Sequence, residues 1–142
     1  MDSTDFAELR RRADIFWTED VLRFADTDLN GHVNNRVCSI VSENARIRFL
    51  SNAQDISAGP RGLFVLAEIN IVYRAEIFYP GSLTTATWVD GIGNTSMRFR
   101  QQIYDGNRRH VAEVSARCVF LDQETRKPTR IPDGFRPPTM AE

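Results

Sequence analysis

A lone helical segment with a broad apolar face limits this chain to few folds. At about 100° per residue, Val37, Cys38, Ile40, Val41, Ala45, Ile47 and Phe49 spread over more than a half-turn of a helix spanning 35–50. A face that wide suits a helix wrapped by a curved sheet better than one lying on a surface. Glu43 and Arg46 are left to the remaining face, one turn apart. Asn34 is placed to cap the helix, and Gly59-Pro60 in the polar loop 52–62 blocks its continuation. The segment before the helix, Ile15 to Phe24, alternates like a strand. After the loop come Leu63–Glu76, Ser82–Val89, Thr95–Tyr104 and Arg109–Leu121, separated by the turns Tyr79-Pro80-Gly81, Asp90–Asn94 and Asp105-Gly106. Strand, helix, then four strands on short connections predict an α+β domain with a mostly antiparallel five-stranded sheet curled around one helix.

With 142 residues the chain makes one domain with a real core. We expect an arm over 1–14, the domain over 15–132 and a tail over 133–142. The net charge of −1 gives no electrostatic case for nucleic-acid binding. No apolar run approaches the roughly 20 residues that span a bilayer. The charged N-terminus lacks the apolar stretch of a secretory signal, and its Arg10-Arg11-Arg12 run reads as solvated. Cys38 and Cys118 have no metal-type spacing and read as buried thiols in a reducing compartment, so the expected location is the cytoplasm.

Chemistry concentrates between the first strand and the helix, in Asp26-Thr27-Asp28-Leu29-Asn30-Gly31-His32-Val33-Asn34-Asn35. Polar side chains and free backbone N–H groups at a helix start can both supply and stabilise negative charge. Asp26, Asp28, Asn30 and Gly31 also fit early positions of an EF-hand loop, but the position needing a bidentate Glu is Val37. The segment before the loop is a strand pattern rather than a helix, so calcium binding is rejected.

The same block resembles the signature of hot-dog-fold thioesterases of the 4-hydroxybenzoyl-CoA thioesterase type, in which D-T-D-x-x-G-H-V-N-N-like residues lead into a long helix. Glu43-Asn44-Ala45-Arg46-Ile47-Arg48-Phe49-Leu50 is similar to the E-x-A-R-x-x-F-L run of that family, and Asp28-Leu29-Asn30-Gly31-His32 resembles the D-x-N-x-H motif of plant acyl-ACP thioesterases. The likeness spans roughly 16–132 and is specific over 26–50. It implies a single hot-dog domain that pairs as a homodimer or homotetramer. It also implies hydrolysis of acyl-CoA or acyl-carrier-protein thioesters without metal or organic cofactor. A dehydratase or hydratase, or a non-catalytic acyl-thioester binder, are the alternatives on the same fold. The first lacks its usual His–carboxylate spacing here, and the second is expected to lose Asp28. Arg36-Val37-Cys38-Ser39 replaces the family's aromatic-containing stretch and bears on acyl selectivity.

By motif matching, Asp28 takes the catalytic carboxylate position and the backbone N–H of Asn35 the oxyanion-donor position. Asn30 and His32 match the amide and imidazole that orient water or the carbonyl, with His32 able to shuttle a proton near neutral pH. Asn34 and Ser96 are assigned to substrate binding, and Glu43 is the reserve carboxylate. Asp26 reads as a turn stabiliser and His110 as a surface residue. Arg98, Arg100, Arg108, Arg109, Arg126 and Lys127 read as solvated strand faces.

Overall fold

A computed structural model describes residues 5–53 and 62–138. The chain forms α1 (Phe6–Arg10), β1 (Phe16–Val21), a single 3-10 turn (Phe24–Asp26), α2 (Arg36–Ser51), β2 (Gly62–Tyr73), β3 (Ser82–Ile92), β4 (Ser96–Tyr104) and β5 (His110–Asp122). The five strands make one sheet in the order β1-β3-β4-β5-β2, and every neighbouring pair is antiparallel. Irregularities at Leu66/Glu68 in β2 and Val89/Gly91 in β3 bend the strands and increase their twist. The result is the expected hot-dog layout, a curved sheet around one long helix. Most of the 52–62 loop falls outside the described residues.

Alternation along β4 and β5 decides which face α2 covers. Met97, Phe99, Gln101 and Ile103 on β4, with Val114, Ala116, Cys118 and Phe120 on β5, are buried on the sheet's inner face. Phe49 of α2 meets Phe99 edge-on at 5.2 Å and Phe16 at 5.9 Å, and each fully buried aromatic of this kind contributes roughly 2–3 kcal/mol.

The helix buries a narrower stripe than its sequence suggests. Val37, Cys38, Val41, Ala45 and Phe49 are inside, whereas Ile40 and Ile47 are exposed in this single chain. Arg46, expected on the polar face, is only 6% exposed, and Ser42 is fully buried beside it. The reason lies in the sheet. Gln101, at an inward position of β4, accepts from Arg46 Nη1 at 3.0 Å and donates to the Ser42 carbonyl and Thr87 Oγ1, both at 3.0 Å. Four polar residues satisfy one another inside the core, which a binary apolar pattern does not reveal.

The segment before β1 is more than an arm. Phe6 and Leu9, one helical turn apart, pack with Ile15, Trp17, Ala86, Trp88 and Tyr104 on the outer sheet face. Of the arginine run, Arg10 stacks over Trp17 at 4.3 Å and Arg12 over Trp88 at 5.2 Å, while Arg11 is exposed. His110, expected at the surface, is half-buried against the Tyr104 ring. At the other end the irregular tail folds back, burying Ile131 and Phe135, the latter 6.1 Å from the Phe64 ring. No helix among the described residues is long and apolar enough to cross a membrane.

Candidate active site

β1 ends sooner than its alternation predicts because Asp26 turns the chain. Its carboxylate accepts from the Arg23 N–H at 2.8 Å and from the Arg23 guanidinium at 2.9 Å. The Asp26 carbonyl then takes the Asn34 N–H at 2.7 Å, closing the loop at its base. Asp26 is therefore the turn stabiliser that the sequence suggests, and it is buried. Burial alone raises its pKa, but the hydrogen bonds and charge of Arg23 outweigh that and hold it below the usual carboxylate value.

A group whose folded pKa is depressed stabilises the fold above its unfolded pKa and loses that contribution as pH falls through the folded value. Asp26→Asn is thus expected to lower stability by about 1–2 kcal/mol at neutral pH. The gap from the native chain should begin to narrow as pH falls below about 4 and go on narrowing toward the lower folded pKa. Denaturant melts of both chains at pH 7 and pH 3 check this; an unchanged gap would contradict it.

Inside the loop, Asp28 Oδ1 accepts from the N–H groups of Asn30 at 2.8 Å and His32 at 3.1 Å, while the Asp28 N–H donates to the His32 carbonyl at 2.8 Å. Gly31 sits at φ +79°, the left-handed backbone that glycine adopts without strain. The returning limb is then fixed to the connection after β2. Val33 N–H donates to the Ile77 carbonyl at 2.8 Å, and His32 bridges Phe78. Asp28 Oδ1 is committed to two backbone donors, and Val37 is buried in the helix.

Asp28, His32, Asn34 and Asn35 together line a cavity of about 480 Å³. Asn34 Oδ1 accepts the Arg36 N–H at 3.0 Å, so its side chain caps α2 as expected. The Asn35 N–H, at the positive end of the helix, meets no acceptor among the described residues. The opposite wall was not legible in the sequence. Tyr73, Ala75, Glu76 and Ile77 come from the end of β2 and the connection beyond it, and the Tyr73 hydroxyl donates to the Asn35 carbonyl at 3.3 Å.

Two of the proposed site residues do not line this cavity. Asn30 is exposed and contributes its backbone N–H to Asp28. Ser96 lies beside the β3–β4 turn, where its carbonyl accepts the Gly93 N–H. It pairs with Val119 of β5, whereas Tyr73 of the cavity pairs with Ala112, roughly 24 Å away along the strand. Glu43, the reserve carboxylate, is exposed on α2 and is also outside the cavity. Neither cysteine serves as a nucleophile: both are buried free thiols, and burial pushes Cys38 up to about 11.

A sequence profile of the thioesterase-like superfamily matches residues 22–138. The chain belongs to that superfamily. Its match begins just before the Asp26 turn and takes in the whole cavity, and the fold and family together make this protein a thioester hydrolase. Among solved structures, the thioesterase is similar to the probable thioesterase YbaW from Escherichia coli, with 27% identity, 80% of this chain and 88% of that one covered, and a TM-score of 0.71. It is also similar in fold to a DHNA-CoA thioesterase from Staphylococcus aureus, with 22% identity, coverage of 82% and 80%, and a TM-score of 0.72. The hypothetical protein SAV2348 from Staphylococcus aureus, solved in complex with CoA, shares the fold at 13% identity, coverage of 84% and 78%, and a TM-score of 0.76. No curated protein matches the sequence significantly.

Proposed function

We propose that this thioesterase hydrolyses acyl-CoA thioesters, with Asp28 as the reacting carboxylate and the Asn35 N–H as a donor to the developing oxyanion. The observation that carries this reading is the convergence of a loop carboxylate, an imidazole and an unpaired helix-start N–H on one cavity. A thioester has weak carbonyl resonance and a good leaving group, so a carboxylate can attack it or activate water against it without a Ser-His-Asp triad. One preorganised oxyanion donor is worth roughly 3 kcal/mol of barrier. Asn30 supports Asp28 through its backbone, Asn34 holds the helix start in place, and His32 exchanges protons. The structures that carry CoA or a CoA ester in their names support CoA over a carrier protein as the thiol.

One wall of the cavity is the end of β2. That strand is a sheet edge of 12 residues with Leu66 and Tyr73 well exposed, and a long apolar edge is a template for pairing with another strand. We infer a homodimer joined along β2, whose second copy walls the site beside Tyr73 and excludes water from the oxyanion donor. The buried thiols fit a reducing compartment such as the cytoplasm.

The test is a hydrolysis panel over acyl-CoAs of different length and aromaticity, repeated with acyl-carrier protein and run across a dilution series. Free thiol should appear with CoA esters, and specific activity should fall together with dimer dissociation measured by light scattering. No turnover of any thioester would refute the catalytic reading, and a fully active monomer would refute the shared site.

A further inference from the structure

Glu76 is the acidic group of the cavity that the reading above leaves without a role. Its carboxylate Oε1 lies 3.6 Å from His32 Nδ1. Such a pair on an open surface is worth little by itself, and both side chains here are partly solvated. Three observations set this one apart. The pair lines the same cavity as Asp28. The His32 backbone is fixed on both sides, its N–H on Asp28 Oδ1 and its strand-like bridge on Phe78, while the ring stands edge-on to the Phe78 ring at 5.1 Å. Glu76 is clamped as well: its carbonyl accepts from the Arg109 guanidinium, which Asp105 holds at 3.2 Å from the other side. Two separate chain segments are thus anchored through their backbones, with the carboxylate of one facing a ring nitrogen of the other.

We propose that Glu76 is a positioning residue for His32, keeping Nδ1–H turned to the carboxylate and leaving Nε2 to serve the substrate. This rests on the assignment of Asp28 and His32 made above and extends it to the departure of the thiol. Water adds its oxygen to the thioester carbonyl carbon while Asp28 takes the water proton. The C–S bond breaks with its electron pair going to sulfur, and the Nε2–H proton of the imidazolium passes to that sulfur. Asp28 then gives up its proton and His32 regains one from solvent, so one water is consumed and one acid and one thiol are formed. Hydrogen bonds of this kind are commonly long before substrate binds and shorten in the complex, as a 3.6 Å separation requires here. Asp28 and Tyr73 are the other ionisable groups facing the same space.

A leaving-group comparison distinguishes positioning from a structural contact. Glu76→Gln should lower kcat on an acyl-CoA about tenfold with KM within about twofold, because it weakens one proton transfer and not binding. On the matching S-phenyl thioester, whose thiolate departs with little need of a proton, the loss should be about twofold or less. His32→Gln should show the same split, and the double variant should be no slower than His32→Gln alone, as expected for residues acting as one unit. Equal losses on both esters, or losses that multiply in the double variant, would overturn the proposal. So would a Glu76→Gln enzyme of native activity. If Asp28→Asn is inactive in the same assay, such a failure touches Glu76 alone; if Asp28→Asn is active, the underlying catalytic assignment falls instead.

Discussion

Asp28→Asn is expected to lose at least about 10² in kcat on acyl-CoA while keeping its fold, since a positioned base or nucleophile is commonly worth that much. The retention of fold follows from which oxygen does the structural work. Oδ1 accepts the Asn30 and His32 N–H groups that shape the loop, and the amide oxygen of asparagine can do the same. What the substitution removes is the negative charge and the second oxygen, for which no partner is present among the described residues. Circular dichroism and a thermal melt should match the native protein, and single-turnover hydrolysis should show the deficit in the chemical step. Asp26→Asn gives the contrast. Both oxygens of Asp26 face Arg23, so its loss should appear in stability and only mildly in kcat. Near-native turnover in Asp28→Asn would remove the carboxylate role, and equal kinetic losses at both positions would mean that the loop needs its shape more than its charge.

The half of the site formed by local chain could be read from sequence; the half formed by distant chain could not. Asp28, Gly31, His32, Asn34 and Asn35 lie within a few residues of one another, and turn and capping chemistry acts at that range. Asp26 as a stabiliser and Asn34 as a cap are visible for the same reason. Glu76 and Tyr73 carry no local mark. They reach the cavity because β2 pairs with β5 and its connection then crosses to the helix start, where Val33 bonds to Ile77. Strand alternation shows that such residues exist but not which sheet neighbour will hold them. The sheet itself was legible nearly strand by strand, because turn signals at 79–81, 90–94 and 105–106 divide it cleanly. Along α2 the apolar pattern fails at Arg46, whose burial depends on a polar partner on another strand, while Ile40 and Ile47 stay exposed in the single chain.

That partner supplies the second large effect. Gln101→Leu should destabilise the protein by about 3 kcal/mol, since it strands a buried guanidinium that loses its best acceptor. In the native chain Arg46 is 6% exposed, and among the described residues its Nη1 reaches Gln101 at 3.0 Å and Ser42 at 3.3 Å. Burial already depresses its pKa, and the Glu43 carboxylate only partly opposes that. Leucine fills similar space, so lost volume does not explain the effect. The corresponding drop in Tm is on the order of 10 °C for a domain of this size. The same reasoning predicts its own reversal. Arg46→Met together with Gln101→Leu removes both the charge and its acceptor, leaving apolar groups of comparable length in the buried space between α2 and β4, so more than half of the lost stability should return. Denaturant melts of the two single variants and the double variant measure this coupling directly. Additive losses would show that Arg46 and Gln101 do not act as a pair, and that α2 is held over the sheet by its apolar stripe alone.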